Sequence, residues 1–92
     1  MNLTQRRLKV LKSAERELDD LPEAAYKEAV NAIADLIEDP YPPGSIPLRN
    51  YRDVYRIRVY HDRYRLVYRV SEHQQKVVIW RVRPRATAYI GL

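Results

Sequence analysis

Apolar and charged residues alternate almost without interruption from 54 to 70, Val-Tyr-Arg-Ile-Arg-Val-Tyr-His-Asp-Arg-Tyr-Arg-Leu-Val-Tyr-Arg-Val. A period of two marks paired strands with unlike faces, so the run predicts two strands, roughly 54–60 and 64–70. Upstream, Leu8 and Val10 alternate with charge in residues 6–12, a short first strand suited to a sheet edge where lysines discourage aggregation. The spacing then becomes helical. Ala14, Leu18 and Leu21 fall on one face of a short helix, with Ser13 as its N-cap and Glu15 and Glu17 near its positive end. Pro22 suits the first turn of a second helix. Its apolar stripe is Tyr26, Ala29, Val30, Ile33, Ala34 and Ile37, opposite Lys27, Glu28, Asn31 and Asp35, and Pro40 stops it. So few residues separate the helices that they should form an antiparallel hairpin. Prolines 42, 43 and 47 with Gly44 make 41–47 a loop, and a brief strand or turn is expected near Leu48. After a polar turn at 71–75, residues 76–82 are apolar at nearly every position, the mark of a central strand.

The order is therefore β-α-α-β-β-β. The expected fold is α+β: an N-terminal strand and a two-helix antiparallel hairpin packed on a small, mainly antiparallel sheet of about four strands. The 92 residues are expected to form a single domain spanning 1–92.

Residues paired across an antiparallel hairpin share a face, so loop length decides which side chains stand together. A three-residue loop pairs Tyr60 with Tyr64 and sets Arg58 beside Leu66. An even loop of two or four residues instead groups Ile57 and Val59 with Tyr64, Leu66 and Tyr68. It sets Arg56, Arg58 and Tyr60 with Arg65, Val67 and Arg69 on the other face. A slip of one residue drives arginines into the core, so the even loop and one basic sheet face are expected.

Composition narrows the setting. With 46% apolar residues the chain folds despite its 32% charged content. It has no cysteine, hence no disulfide or thiolate metal site. No apolar run approaches the roughly 20 residues that span a bilayer, and the N-terminus lacks a signal-peptide core; a cytosolic protein without a membrane partner is expected. The net charge is +5, with acids in excess over 13–39 and bases over 49–85. A surface polarised in this way attracts RNA, DNA or an acidic protein.

Arg56, Arg58, Arg65 and Arg69, with Tyr60 among them, are the candidate anion-binding face, because guanidinium forks hold phosphate bidentately and stack on bases. Against this stands the ordinary reading in which arginines pair with helix acids or solubilise an exposed face. The run 81–89 adds Arg81, Arg83, Arg85 and Tyr89. Pro84 takes the chain out of the ladder, and Arg85 and Tyr89 are expected to swing toward the basic face. Tyr89 there either stacks on a base or moves a proton; otherwise it is a packed terminal aromatic. His61 and His73 lack metal-ligand spacing, Ser13 has no histidine partner for nucleophilic chemistry, and Trp80 reads as a packing residue.

Three segments carry a resemblance to the RelE/ParE superfamily of toxin–antitoxin toxins. Ser13-Ala14-Glu15-Arg16-Glu17-Leu18 with Leu21-Pro22 is similar to the family's opening helix and turn. Leu48-Arg49, Tyr55-Arg56-Ile57-Arg58-Val59 and above all Tyr64-Arg65-Leu66-Val67-Tyr68 resemble its central hairpin. Val82-Arg83-Pro84-Arg85 through Tyr89 resembles an ending usually written histidine-arginine, a few residues, then tyrosine, with proline here in the histidine's place. The resemblance implies a helical hairpin against an antiparallel sheet. RelE-like members cut mRNA in the ribosomal A site by attack of the 2′-hydroxyl on the adjacent phosphate. ParE-like members poison DNA gyrase without nuclease chemistry.

On the first reading, Arg56 and Arg58 match basic positions often filled by lysine, Arg65 a phosphate-contacting arginine, Arg85 or Arg83 the C-terminal arginine, and Tyr89 the terminal tyrosine. Arg69, Tyr60 and Arg83 serve as further RNA contacts. Neither metal nor cofactor is implied. The implied partners are a cognate antitoxin and the ribosome with its mRNA, or DNA gyrase on the second reading; an inactive member that only binds antitoxin is the third. The mRNA endonuclease is the leading expectation.

Overall fold

A computed structural model describes residues 6–92. Its elements are β1 (Arg7–Val10), α1 (Lys12–Asp19), α2 (Glu23–Glu38), β2 (Ile46–Pro47), β3 (Val54–Val59), β4 (Tyr64–Ser71) and β5 (Lys76–Pro84), followed by a single 3-10 turn at Arg85–Thr87. The strands form one sheet in the order β1-β5-β4-β3-β2. Among the described residues only the β1–β5 pair is parallel. Five strands stand where about four are expected; the addition is the two-residue β2, which pairs with Tyr55 and Arg56. The fold is α+β, and the strand that is apolar on both faces, β5, is central as expected.

Both helices pack on the sheet, α1 against β5 and α2 across β5 and β3. Between them and the sheet lies a core of Ala14, Leu18, Ala29, Ile33 and Leu36 from the helices, with Ile57, Val59, Leu66, Tyr68, Val70, Val77, Ile79 and Val82 from the strands. Burial of each Leu, Ile or Val side chain there contributes about 1.5–3 kcal/mol.

Two local expectations are corrected. Ser13 is not the cap of α1: Leu11 holds that position with no side-chain cap hydrogen bond. The reason is that Leu11 still belongs to the sheet, its N–H donating to the Ile79 carbonyl at 3.1 Å, so the chain passes from strand to helix in one residue. The buried stripe of α2 is also rotated. Ala29, Ile33 and Leu36 join the core against the sheet and Ala25 is buried, while Tyr26, Val30 and Ala34 are exposed. Apolar residues occupy more than half the helix circumference, so the pattern alone does not determine its inward side. Pro22 stands just before α2, its carbonyl accepting the Tyr26 N–H at 2.8 Å.

The β4–β5 ladder contains a bulge. Val67 faces Arg81 while Tyr68 faces Ile79, leaving Trp80 as the extra residue, which meets Tyr51 edge-on at 6.0 Å. The bulge inverts the phase of β5. Val77 and Ile79 point to the helices before it and Val82 after it, which turns Arg81 and Arg83 to the opposite face. Beyond the end of β1 the edge of β5 is covered by α1, where Glu17 accepts the Val82 N–H at 2.9 Å.

Tyr68 ties the core to the loop after α2. Its ring is fully buried and its hydroxyl donates to the Pro40 carbonyl at 2.6 Å. Burial pushes the phenol up to about 12. Tyr68→Phe is expected to cost about 1–2 kcal/mol in urea denaturation at neutral pH, because the Pro40 carbonyl loses its partner. Since the folded state favours the neutral phenol, Tyr68 stabilises fully below pH 10 and loses that contribution as pH rises toward 12. The stability gap between wild type and Tyr68→Phe should therefore shrink across that interval.

Candidate functional site

The β3–β4 hairpin closes through the four residues Tyr60–Arg63, so that Val59 faces Tyr64, Ile57 faces Leu66 and Arg58 faces Arg65. This is the even register expected from the alternation. On the face away from the helices the ladders set Arg58, Arg65 and Arg83 side by side across β3, β4 and β5, with Arg56, Val67 and Arg81 in the next row. Neighbouring strands lie about 4.8 Å apart, and like charges directly opposite destabilise a sheet. Val54 and Val67 on this face are buried.

The charges are met by Asp62 at the hairpin tip. Its Oδ1 lies 2.7 Å from Arg65 Nη1 and 3.1 Å from Arg58 Nε. Its Oδ2 lies 3.2 Å from Arg85 Nη1. Arg65 also donates to the Asp62 carbonyl at 3.0 Å. It is the one buried charged residue among the described residues, only 7% exposed. The end of β5 is fastened to the same loop, since the Arg85 N–H donates to the Arg63 carbonyl at 2.9 Å, which delivers Arg85 to the cluster. The loop turns sharply: Tyr60, His61 and Asp62 have φ of 54°, 54° and 67°, three successive left-handed residues without a glycine, each costing of order 1 kcal/mol.

The remaining candidates part company. Arg56 shares the face, two residues before Arg58, and lines a cleft of about 340 Å³ with Arg58, Asp35, Pro42, Pro43 and Ile46; its Nη1 is buried without a partner among the described residues. Arg69 stands four residues along β4 from Arg65, roughly 13 Å away, beside Ser71, Gln74 and Lys76. Tyr60 is a correction. The left-handed backbone breaks the alternation at that residue, so its ring packs against the helix-side core, 6.4 Å from that of Tyr64, and its N–H donates to Glu28 of α2. Arg83 turns round the edge of β5, its Nε 2.6 Å from Glu17 Oε2, so Arg85 and not Arg83 joins the cluster. Tyr89 is 44% exposed, in the turn after the 3-10 helix.

Two further residues, one of them without any assigned part in the sequence reading, organise the site. Asp62 gathers three guanidiniums; its signal in the sequence is an acid centred between Arg58 and Arg65 at a loop tip. Arg81 Nη1 donates to the Ala88 and Ile90 carbonyls at 3.1 and 2.7 Å, holding the segment that carries Tyr89. Burial, then the neighbouring Arg83, pull the Arg81 guanidinium below its usual pKa. Among the described residues no group of acids, histidines or cysteines could hold a metal ion, and no helix is long and apolar enough to cross a membrane.

Chemically, three cations around one small anion form a phosphate-sized clamp. Its members differ in structural weight. Arg65→Ala removes the buried member of the cluster while Asp62, 38% exposed, keeps Arg58 and Arg85, and is expected to lower stability by about 1.5–3 kcal/mol in urea denaturation. Arg85, whose side chain is 65% exposed, should cost no more than about 1 kcal/mol when changed to alanine.

Residues 8–89 match the model of the ParE toxin of the type II toxin–antitoxin system parDE. No curated protein matches by sequence. Among solved structures, the chain is similar to the toxin–antitoxin complex RelBE2 of Mycobacterium tuberculosis, with 28% identity, 89% of this chain and 100% of that chain covered, and a TM-score of 0.74. It is similar to the archaeal RelE–RelB complex of Pyrococcus horikoshii at 26% identity, 92% and 100% coverage and a TM-score of 0.74. The isolated RelE toxin of Escherichia coli, at 24% identity, 86% and 83% coverage and a TM-score of 0.75, shares the fold.

Proposed function

The chain belongs to the family of ParE toxins of type II toxin–antitoxin systems, and we propose that this toxin is an endoribonuclease that cuts mRNA in the ribosomal A site. The observation that carries the reading is the convergence of Arg58, Arg65 and Arg85 on one point, each within 3.2 Å of a single carboxylate. In this reaction the 2′-hydroxyl of one nucleotide attacks the adjacent phosphate. The P–O bond to the next nucleotide breaks, leaving a 2′,3′-cyclic phosphate and a 5′-hydroxyl. Negative charge builds on the phosphorane oxygens, and guanidiniums fixed in advance stabilise it without reorganising. Arg56, on the same face with a buried Nη1 that has no partner among the described residues, adds a fourth donor to the flanking backbone. Tyr89 is exposed enough to stack on a base or to orient the 2′-hydroxyl. Arginine holds its proton at neutral pH, so the arginines stabilise charge and take no proton. Arg69, Tyr60 and Arg83, directed elsewhere, contribute at most to the wider RNA surface.

The solved relatives include complexes with RelB antitoxins, which supports a cognate antitoxin as the partner that silences this chain. A gyrase-directed toxin is the second reading. It is favoured by the ParE description of the matching family and by the absence of lysine and histidine among the candidate residues.

Mapping mRNA 5′ ends after induced expression separates the two. Cuts within codons at the A site are expected, with no SOS response; intact mRNA with an SOS response selects gyrase. Because Arg65 is structural, the test of chemistry uses Arg85→Ala with Tyr89→Phe. That double variant should lose growth arrest by at least tenfold in plating efficiency while its melting temperature falls by no more than about 4–8 °C and antitoxin binding is kept; undiminished toxicity sinks the nuclease reading.

A further inference from the structure

We infer that Asp62 occupies the phosphate position of the clamp as an internal substitute anion, and that a polynucleotide phosphate binds by displacing it. The inference rests on the endoribonuclease reading only for the kind of anion that enters.

Three observations converge on it. First, Asp62 uses both carboxylate oxygens toward three guanidiniums drawn from β3, β4 and the turn after β5. A carboxylate and a phosphodiester each present two negatively charged oxygens, so groups arranged for one accept the other. Second, the contacts on Oδ1 are ionic and poorly directed. That atom is buried, yet no hydrogen bond of good geometry reaches it, although Arg65 Nη1 and Arg58 Nε lie at 2.7 and 3.1 Å. Arg65 Nη1 donates instead to the Asp62 and Tyr64 carbonyls at 3.0 and 3.4 Å, and Arg58 Nε retains a donor that a better-placed oxyanion satisfies. Third, Asp62 sits on a strained support. It ends the run of three left-handed residues, with φ 67°, so a loop released from its ion pairs has conformational energy to recover.

The exchange also solves a folding problem. Arg65 is buried, and without a counter-charge it would stand unpaired beside Arg58 and Arg85, the three cations repelling one another. Asp62 supplies that charge while the site is empty. When phosphate enters, the arginines change partners and Asp62 turns to water at the loop tip, where its side chain is already 38% exposed.

The test compares wild type with Asp62→Asn in thermal unfolding. Inorganic phosphate, and separately a short single-stranded RNA made non-cleavable by 2′-deoxy substitution, are titrated against chloride at matched ionic strength. Asp62→Asn is expected to melt below wild type in chloride and to recover toward it in phosphate. It should bind both probes roughly tenfold more tightly than wild type, since the competing carboxylate is gone. Equal affinity in the two proteins overturns the inference. A measurement on wild type alone guards against a variant that fails to fold: the Asp62 carboxyl carbon resonance should move to its solvated position on saturation with either probe, and a resonance that stays in place overturns the inference as well. The readouts require no cleavage. Tighter phosphate binding by Asp62→Asn with mRNA left intact in cells removes the nuclease reading and keeps this one; A-site cutting with equal affinities does the reverse.

Discussion

Arg58, Arg65 and Arg83 stand in one row across three adjacent strands, and the architecture around them follows from the need to neutralise that row. Each guanidinium pairs with an acid from outside the sheet face. Asp62, at the hairpin tip, takes Arg58 and Arg65. Glu17, on α1, takes Arg83 at the edge of β5. The hairpin loop therefore has a length and a backbone conformation that put an aspartate over the strands, at the expense of three left-handed residues. Few hairpins adopt such a turn without glycine, and here the buried position of Arg65 supplies the reason. A guanidinium inside the protein without its partner costs more than the strain.

The bulge at Trp80 belongs to the same design. Had β5 kept one phase throughout, the odd-numbered face that carries Val77 and Ile79 would have carried Arg81 and Arg83 into the helix-side core. One extra residue lets a single strand bury apolar side chains against the helices along its whole length and still contribute two arginines to the opposite face. Arg81 then tethers the C-terminal turn through the Ala88 and Ile90 carbonyls, while Arg85 is carried back to the hairpin loop by its own backbone. The C-terminal segment is in this way positioned by the sheet it follows.

What was legible in the sequence was whatever local alternation decides. The period-two pattern gave the strands and, through the cost of burying arginine, the register that puts Arg56, Arg58, Arg65 and Arg69 on one face. What was not legible depended on a third partner. Ser13 looked like a cap because only the helix was visible, not the Ile79 carbonyl that keeps Leu11 in the sheet. The α2 stripe was too wide to show its inward side. Alternation carried through to Tyr60 sets it on the basic face, but the loop begins there with φ of 54° and turns the ring to the other side. Asp62 was the largest omission. A search for like charges on one face passes over the opposite charge that makes their proximity stable.

That omission bears on how a cationic site is read in general. Clustered arginines suggest an anionic ligand because they repel one another, but the repulsion must also be met in the unliganded protein. Here it is met within the chain, by a carboxylate reaching three guanidiniums at 2.7–3.2 Å. The residue that makes the empty site stable is then also the one an incoming phosphate must outcompete, so stability and affinity are coupled through Asp62. A more loosely held acid would leave Arg65 buried and unpaired, whereas a more tightly held one would close the clamp. The strained turn, which holds the carboxylate near the arginines with imperfect hydrogen-bond geometry, lies between these limits.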